Sequence, residues 1–363
     1  MEDTVEIKTE AGHNWDLRSD TMTKPTAGML SAMVNAPLGD SVFGEDPTVN
    51  KLERRAAELC GKDAALFCVS STMCNQLAIR CHLLNPPQSL ICHLRSHVYE
   101  YESGGASMHS QAMMIPVTPA NSVNLTAADV QKHLILDNFM GIKAPTGLIA
   151  LENTFHGTIM PLEDMEDIAA LAREHEIPVH IDGSRLWNAS VATGISLAEY
   201  SRNADSVNLC LSKGMGCPVG AVLVGSTKFI NKARHMCKAF GGGWHQAGIL
   251  AAAGLFAIDH IWPTMKESHA LTRRLADELV AMGFDLIAPA DTNMILLAEH
   301  KQNEDGGSSA SEKLHVQLTD ALKAKGVIVG AVYQGCLRLV LHHQIDAQCV
   351  NIVIATAKRI MHS

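Results

Sequence analysis

Between about Ala64 and Gly225 short apolar runs alternate with amphipathic stretches. That alternation predicts parallel strands joined by helices, because a strand buried on both faces reads as a continuous apolar run. The strand candidates are Ala64 to Cys68, Ser89 to Cys92, Met113 to Val117, Leu148 to Leu151, Val179 to Ile181, Val207 to Leu211 and Ala221 to Val224. Pro161 to Glu174 opens with proline, carries acids in its first turn and repeats apolar residues at three-to-four spacing, so it predicts a helix.

After Ala247 the texture becomes a long helical region ending near Met282, with Leu271, Leu275 and Leu279 on one face. A smaller α+β unit follows: strand Met294 to Leu297, helix Ser311 to Lys325, strands Val327 to Val329 and Leu337 to Leu341, and a helix from Asp346 to Met361. Lys301 to Ser311 is polar and glycine-containing and reads as a surface loop. The division expected is a large domain over 1–255, including an N-terminal arm, and a linking helix with a small domain over 256–363, with a ligand in the cleft between them.

Composition narrows the partners. The 363 residues are 47% hydrophobic and 18% charged, enough to build a substantial core. A net charge of −9 without a basic run disfavours nucleic acid. The N-terminus is acidic without an apolar segment, and the longest apolar stretch, near Ala247 to Ile258, is short and contains glycine, so secretion and membrane spanning are disfavoured. The ten cysteines are scattered without a C-x-x-C pair, which reads as reduced core thiols of a cytoplasmic protein. Eighteen histidines contain no H-E-x-x-H, and His342-His343 sits in an expected strand where neighbours face apart, so no metal is expected.

The candidate chemistry lies at the ends of the expected strands. In NLCLSKGMGCPVG, Asn208 to Gly220, Lys213 follows an apolar strand directly, and burial there would lower its pKa and make it a Schiff-base nucleophile. The plain alternative is a lysine whose head reaches water. In HIDGSR, Asp182 ends the preceding strand, where it could pair with a pyridinium nitrogen, and Arg185 supplies a cationic fork; Asp182 could also cap a turn. In CVSSTMCNQLAIR a strand is followed by a helix whose first turn carries Ser70, Ser71 and Thr72, either an ordinary cap or a phosphate cradle. In RSHVYEYESGG, His97 or Tyr101 could stack on a flat heteroaromatic ring.

In order along the chain, DLRSDTMTKPT, GEDPTVNKLE, ALFCVSSTMCNQLA, SHVYE, APTGLIALENT, HIDGSRLWNA, LSKGMG, GGGWHQAG, PADTN and RLVLHH resemble the threonine aldolase family of fold-type I pyridoxal phosphate enzymes, most closely its fungal members. The resemblance covers nearly the whole chain. It implies an α/β fold of the fold-type I transferase kind, a mainly parallel sheet flanked by helices plus a small C-terminal α+β domain. It also implies pyridoxal 5'-phosphate carried on Lys213, Asp182 on its ring nitrogen, His97 stacked on the ring, and Ser71, Thr72 and Met73 at the phosphate. Ser19, Arg185 and Arg338 would surround the carboxylate of a small amino acid, in a homodimer or homotetramer.

Three departures bear on the reaction. Ser70-Ser71-Thr72 stands where S-G-T is common; Ile142 stands where the family usually places a histidine beside the substrate hydroxyl; and His245 replaces the arginine of G-G-G-x-R-Q, near the cofactor. Retro-aldol cleavage needs a base for that hydroxyl proton, whereas racemisation needs only proton transfer on both faces of Cα, by Lys213 on one and His97, Tyr101 or a held water on the other. The sequence therefore favours an alanine racemase, an activity known among fungal relatives, with cleavage of L-threonine or L-allo-threonine to glycine and acetaldehyde as the alternative. A non-catalytic cofactor carrier would require the loss of Lys213 or Asp182, and a nicotinamide oxidoreductase lacks its glycine fingerprint.

Overall fold

A computed structural model of the chain describes residues 15–137, 140–298, 310–330 and 336–361. The expected alternation becomes one seven-stranded sheet built from β2 (Ala64–Cys68), β3 (Ser89–His93), β4 (Met113–Val117), β5 (Thr146–Glu152), β6 (Val179–Asp182), β7 (Ser206–Cys210) and β8 (Ala221–Gly225). The spatial order is β2-β8-β7-β6-β5-β3-β4. The pairs from β4 through β7 are parallel, as expected, but β8 runs antiparallel to both β7 and β2. The reversal follows from the short connection: only ten residues separate Cys210 from Ala221, too few for a helical crossover, so the chain folds straight back.

The helices on the sheet begin where their sequences say. Asp46 caps the helix Pro47–Cys60; one of its carboxylate oxygens accepts from the backbone N–H groups of Thr48 and Val49, both at 3.0 Å. The other accepts from Gly39 and Gly248, at 3.2 and 2.9 Å. The Gly248 approach needs a residue without a side chain, since a Cβ there would stand 2.4 Å from Asp46 Oδ1. Pro161 precedes the helix Leu162–Glu174, one residue shorter than the expected span. The principal core, which includes Leu52, Ile149, Ile181, Trp187 and Leu209, lies between this layer and the sheet.

A second core gathers Leu275, Leu279, Ile295, Leu297, Leu337 and Val353. It is built on β9 (Met294–Ala298) and β11 (Cys336–Val340), antiparallel to each other, and on the helix Ala347–Met361. The N-terminal arm joins this unit: β1 (Trp15–Asp16) pairs in parallel with β10 (Val327–Ile328), and Leu17 is buried in the second core. The expected division after residue 255 falls within the helix Gly248–His260, whose Ala257 and Ile258 still pack in the first core. The long helical region is broken by a short turn of 3-10 helix at Trp262–Thr264, where Pro263 cannot donate, before the helix Met265–Ala281. His342 and His343 lie beyond the end of β11, not inside a strand. Of the expected Lys301 to Ser311 loop, residues 301–309 lie outside the described residues.

All ten cysteines are buried thiols. Among the described residues no single helix is long and apolar enough to cross a membrane.

Because Asp46 satisfies four backbone donors in a buried setting, Asp46→Ala should lower unfolding stability by about 2 kcal/mol or more, read from the urea midpoint. A change below about 0.5 kcal/mol would refute the cap's role.

Candidate active site

The sheet register sets the geometry. Glu152 and Asp182 are partnered at the ends of β5 and β6, and Asp182 is partnered with Asn208 on β7. Three residues beyond β7 the chain presents Lys213, half-buried, on a turn closed by Gly216 N–H donating to Lys213 O at 2.9 Å. Gly216 has φ +75°, and a Cβ there would stand 2.6 Å from the His343 ring, so the turn needs glycine on two counts. The Thr23 hydroxyl reaches Lys213 O at 3.0 Å, tying the N-terminal arm to the same turn.

Asp182 is 3% exposed. Its Oδ1 accepts from Ser184 N–H at 3.0 Å and Asn208 Nδ2 at 3.1 Å, and its Oδ2 from Asn75 Nδ2 at 2.8 Å. Burial, the largest influence, pushes this carboxyl up, but Lys213, His97 and the donated hydrogen bonds together hold it below the usual carboxylate range. It therefore stays charged and offers a carboxylate to a cationic ring nitrogen. Sequence reasoning missed the two residues beside it. Glu102, with no side-chain exposure, accepts from Asn75, from Gln76 and, at 2.8 Å, from His97 Nδ1. Burial opposes a charged His97, yet the hydrogen bond to Glu102 and the charge of Asp182 outweigh it and raise its proton affinity.

Glu152 is the second missed residue. Its Oε2 accepts the His97 backbone N–H at 2.9 Å. Burial, and then the like charge of Asp182, push its carboxyl up to about 7. A half-buried group that changes charge at neutral pH beside Lys213 and His97 is a candidate proton carrier. It sits inside the run LIALENT, and its only sequence signal is an acid at the end of an apolar strand.

The phosphate cradle expected at Ser70 to Thr72 is divided. Ser70 caps the helix Ser71–His82, its hydroxyl accepting from Met73 N–H at 3.1 Å, so the Met73 donor is engaged. Ser71 Oγ is buried without a hydrogen-bond partner, at the open N–H end of a twelve-residue helix. An orphaned hydroxyl beside free helix donors fits an anionic group such as a phosphate. Lys213, Asp182 and Ser71 thus present the amine, carboxylate and phosphate donors that pyridoxal phosphate requires.

Other expected residues are placed differently. Arg185 is not an open fork: its Nε and Nη2 donate to the two oxygens of buried Asp20 at 2.8 and 2.6 Å. Burial alone would raise Asp20, but Arg185 and Lys213 bring it down to about 2. The Ser19 hydroxyl accepts from Thr21 N–H and faces the same arm. Arg338 lies on β11, donates to Arg18 O at 3.1 Å, and its charge reaches His156, as does that of Arg185. Tyr101 is 41% exposed, with its ring 5.7 Å from His97. His245 pairs with Asp40 at 2.9 Å in an exposed position. Ile142 is 75% exposed on the loop before β5.

The expectation of no metal meets one donor cluster among the described residues: His97, Glu102 and Asp182 have ligand atoms within 4.8 Å of one another. Asn75, Gln76, Ser184 and Asn208 already donate to its carboxylates, which accounts for the crowding without an ion.

Residues 16–301 match the beta-eliminating lyase family. The chain is 48% identical over 284 residues to the low-specificity L-threonine aldolase of Candida albicans, covering 78% of this chain and 76% of that one. It is 36% identical over 333 residues to the low specificity L-threonine aldolase of Escherichia coli K12, covering 92% and 95%. In fold it is similar to the Leishmania major threonine aldolase, with a TM-score of 0.78 at 20% identity, over 95% of this chain and 99% of that one.

Removing Asp20 would strand a buried guanidinium, so Asp20→Ala should cost about 3–5 kcal/mol in urea unfolding at pH 6. The sign with pH follows from the lowered carboxyl. The pair's contribution is present above the unfolded value of 3.8 and is lost as pH falls through about 2. The gap between variant and parent should therefore narrow in acid, and a gap that widens there would contradict the ion pair.

Proposed function

The chain belongs to the beta-eliminating lyase family and is a pyridoxal phosphate-dependent enzyme of the threonine aldolase kind, and from that premise we propose that it cleaves L-threonine and L-allo-threonine between Cα and Cβ, releasing glycine and acetaldehyde. The observation that carries this choice over racemisation is Glu152. The case for a racemase rested on the absence of a base at position 142, and a carboxyl pushed to about 7 beside His97 supplies one from another element. The names of the relatives favour the same reaction.

In this reading Lys213 would carry the cofactor and move the proton at Cα, and Asp182 would offer a full negative charge to the ring nitrogen. His97 presents its ring to the cofactor face, held at Nδ1 by Glu102. Ser71, Thr72 and the helix N–H groups take the phosphate, and Arg338 and Ser19 take the substrate carboxylate, the guanidinium supplying a planar pair of donors. The cofactor, when bound, supplies an electron-withdrawing ring that stabilises negative charge at Cα. Ionised Glu152 accepts the β-hydroxyl proton as the Cα–Cβ bond breaks. The same reading takes the molecule as a homo-oligomer, since Phe43, Met108, Met140 and Ile142, between 75% and 88% exposed, are apolar surface that an interface would cover. Light scattering at the mass of one chain would refute that part.

Purified protein incubated separately with L-threonine and L-alanine should release acetaldehyde from the first and little D-alanine from the second, and Lys213→Ala should abolish both. D-alanine without acetaldehyde would return the choice to racemisation. Since Glu152 must be ionised to act, turnover of threonine should rise with pH through about 7. Glu152→Gln should lower kcat by about a hundredfold and remove that rise. Persistence of the same rise in the variant would assign the base elsewhere.

A further inference from the structure

Behind Asp182 a set of buried polar groups runs the length of β6. The helix Ser71–His82 lies along the sheet with Asn75 and His82 seven residues apart, two turns along one face. His180 stands two residues before Asp182 on the same strand face, and Ser206 is its partner on β7. The atoms form a line: His82 Nε2 to Ser206 Oγ at 2.8 Å, Ser206 Oγ to His180 Nδ1 at 2.9 Å, and His180 Nε2 to Asn75 Oδ1 at 3.0 Å. Asn75 Nδ2 then reaches both Asp182 Oδ2 and Glu102 Oε1 at 2.8 Å.

Hydrogen-bond capacity gives this line one direction. Both partners of Asn75 Nδ2 are carboxylates, which only accept, so the amide NH2 must face them and Oδ1 must face His180. His180 Nε2 therefore carries a hydrogen. Burial lowers the proton affinity of His180 to about 4 and of His82 to about 3, so both rings are neutral. His180 Nδ1 is then a bare acceptor and takes the single hydrogen of the Ser206 hydroxyl. Ser206 Oγ has none left for His82, so His82 Nε2 must be the donor. Of the groups that face these rings, Asp182 and the Ser206 backbone carbonyl favour a charged His180, but burial outweighs them, while Lys232 of the helix Thr227–Ala239 lies near His82 and disfavours a second charge there. The His82 ring stacks on Phe229, with centroids 4.6 Å apart.

We propose that His82, Ser206 and His180 are positioning residues, a one-way donor line that fixes the Asn75 amide against Asp182 and so strengthens its hold on the cofactor ring. The line rests on the assignment of Asp182 to the ring nitrogen. Each donor in it polarises the next towards the carboxylate.

The test has two arms on the holoenzyme. In protein with 15N-labelled histidine, at pH 8 and again at pH 6.5, NMR should show His82 and His180 as neutral rings protonated at Nε2. Either ring as the Nδ1–H tautomer, or as the imidazolium, overturns the line. In the second arm cofactor affinity is read by absorbance for Ser206→Ala, Asp182→Asn and the double variant. Ser206→Ala should weaken binding by about threefold with Asp182 in place and not at all when Asp182 is already Asn, since the line acts through that charge. An equal loss in both backgrounds marks Ser206 as merely structural and overturns the proposal. If Asp182→Asn alone leaves affinity unchanged, the assignment of Asp182 falls and the proposal with it, whatever the tautomers.

Discussion

Three carboxyl groups, those of Glu102, Glu152 and Asp182, crowd together where β5 and β6 end, and the need to keep them in so small a dry space governs everything near them. Like charges at such separation in a low dielectric cannot all persist without compensation. The chain resolves the conflict three ways. Glu152 takes the burden as a raised proton affinity. Asp182 keeps its charge through Lys213, His97 and three donated hydrogen bonds. Glu102 is bound by Asn75, Gln76 and His97. The raised proton affinities of His97 and of Glu152 both follow in part from the charge of Asp182 beside them.

That arrangement needs the arm and the small unit to close over it. Asp20, on the arm, grips Arg185 after β6 and accepts from Asn293 Nδ2 just before β9 at 3.3 Å. One buried carboxylate thus ties three separate parts of the chain, and β1 pairs with β10 close by. The cleft is built by these polar ties as much as by the apolar cores on either side of it.

The sheet was legible in the sequence because its strands read as apolar runs, six of them buried and the edge strand β4 apolar although only Val117 of it is buried; β2 and β4 coincide with the expected spans to the residue. The reversal of β8 was not, because a parallel and an antiparallel buried strand have the same apolar texture, and only the shortness of the loop distinguishes them. That Lys213 and Asp182 meet was legible from their places beyond the end of β7 and at the end of β6. Asn75, Glu102, Glu152 and His180 were not, since each is a polar residue whose meaning comes from what faces it; Asn75 and His180 are polar positions on otherwise buried faces, the one signal available. The pairing of Arg185 was not legible for the same reason: its partner Asp20 lies 165 positions away.

Two buried aspartates show why the surroundings decide the use of a charge. Asp20 is met by a guanidinium at both oxygens, and the two charges neutralise each other, leaving a rigid tie with little net charge. Asp182 is met at its oxygens by neutral donors only: two asparagine amides and a backbone N–H. Neutral donors lower the cost of burying an anion without cancelling its charge, so the field of the carboxylate still reaches whatever lies in the cleft. The charge of Lys213 faces this carboxylate, and under the proposed function, with that amine committed to the cofactor, the carboxylate would favour a positive ring nitrogen.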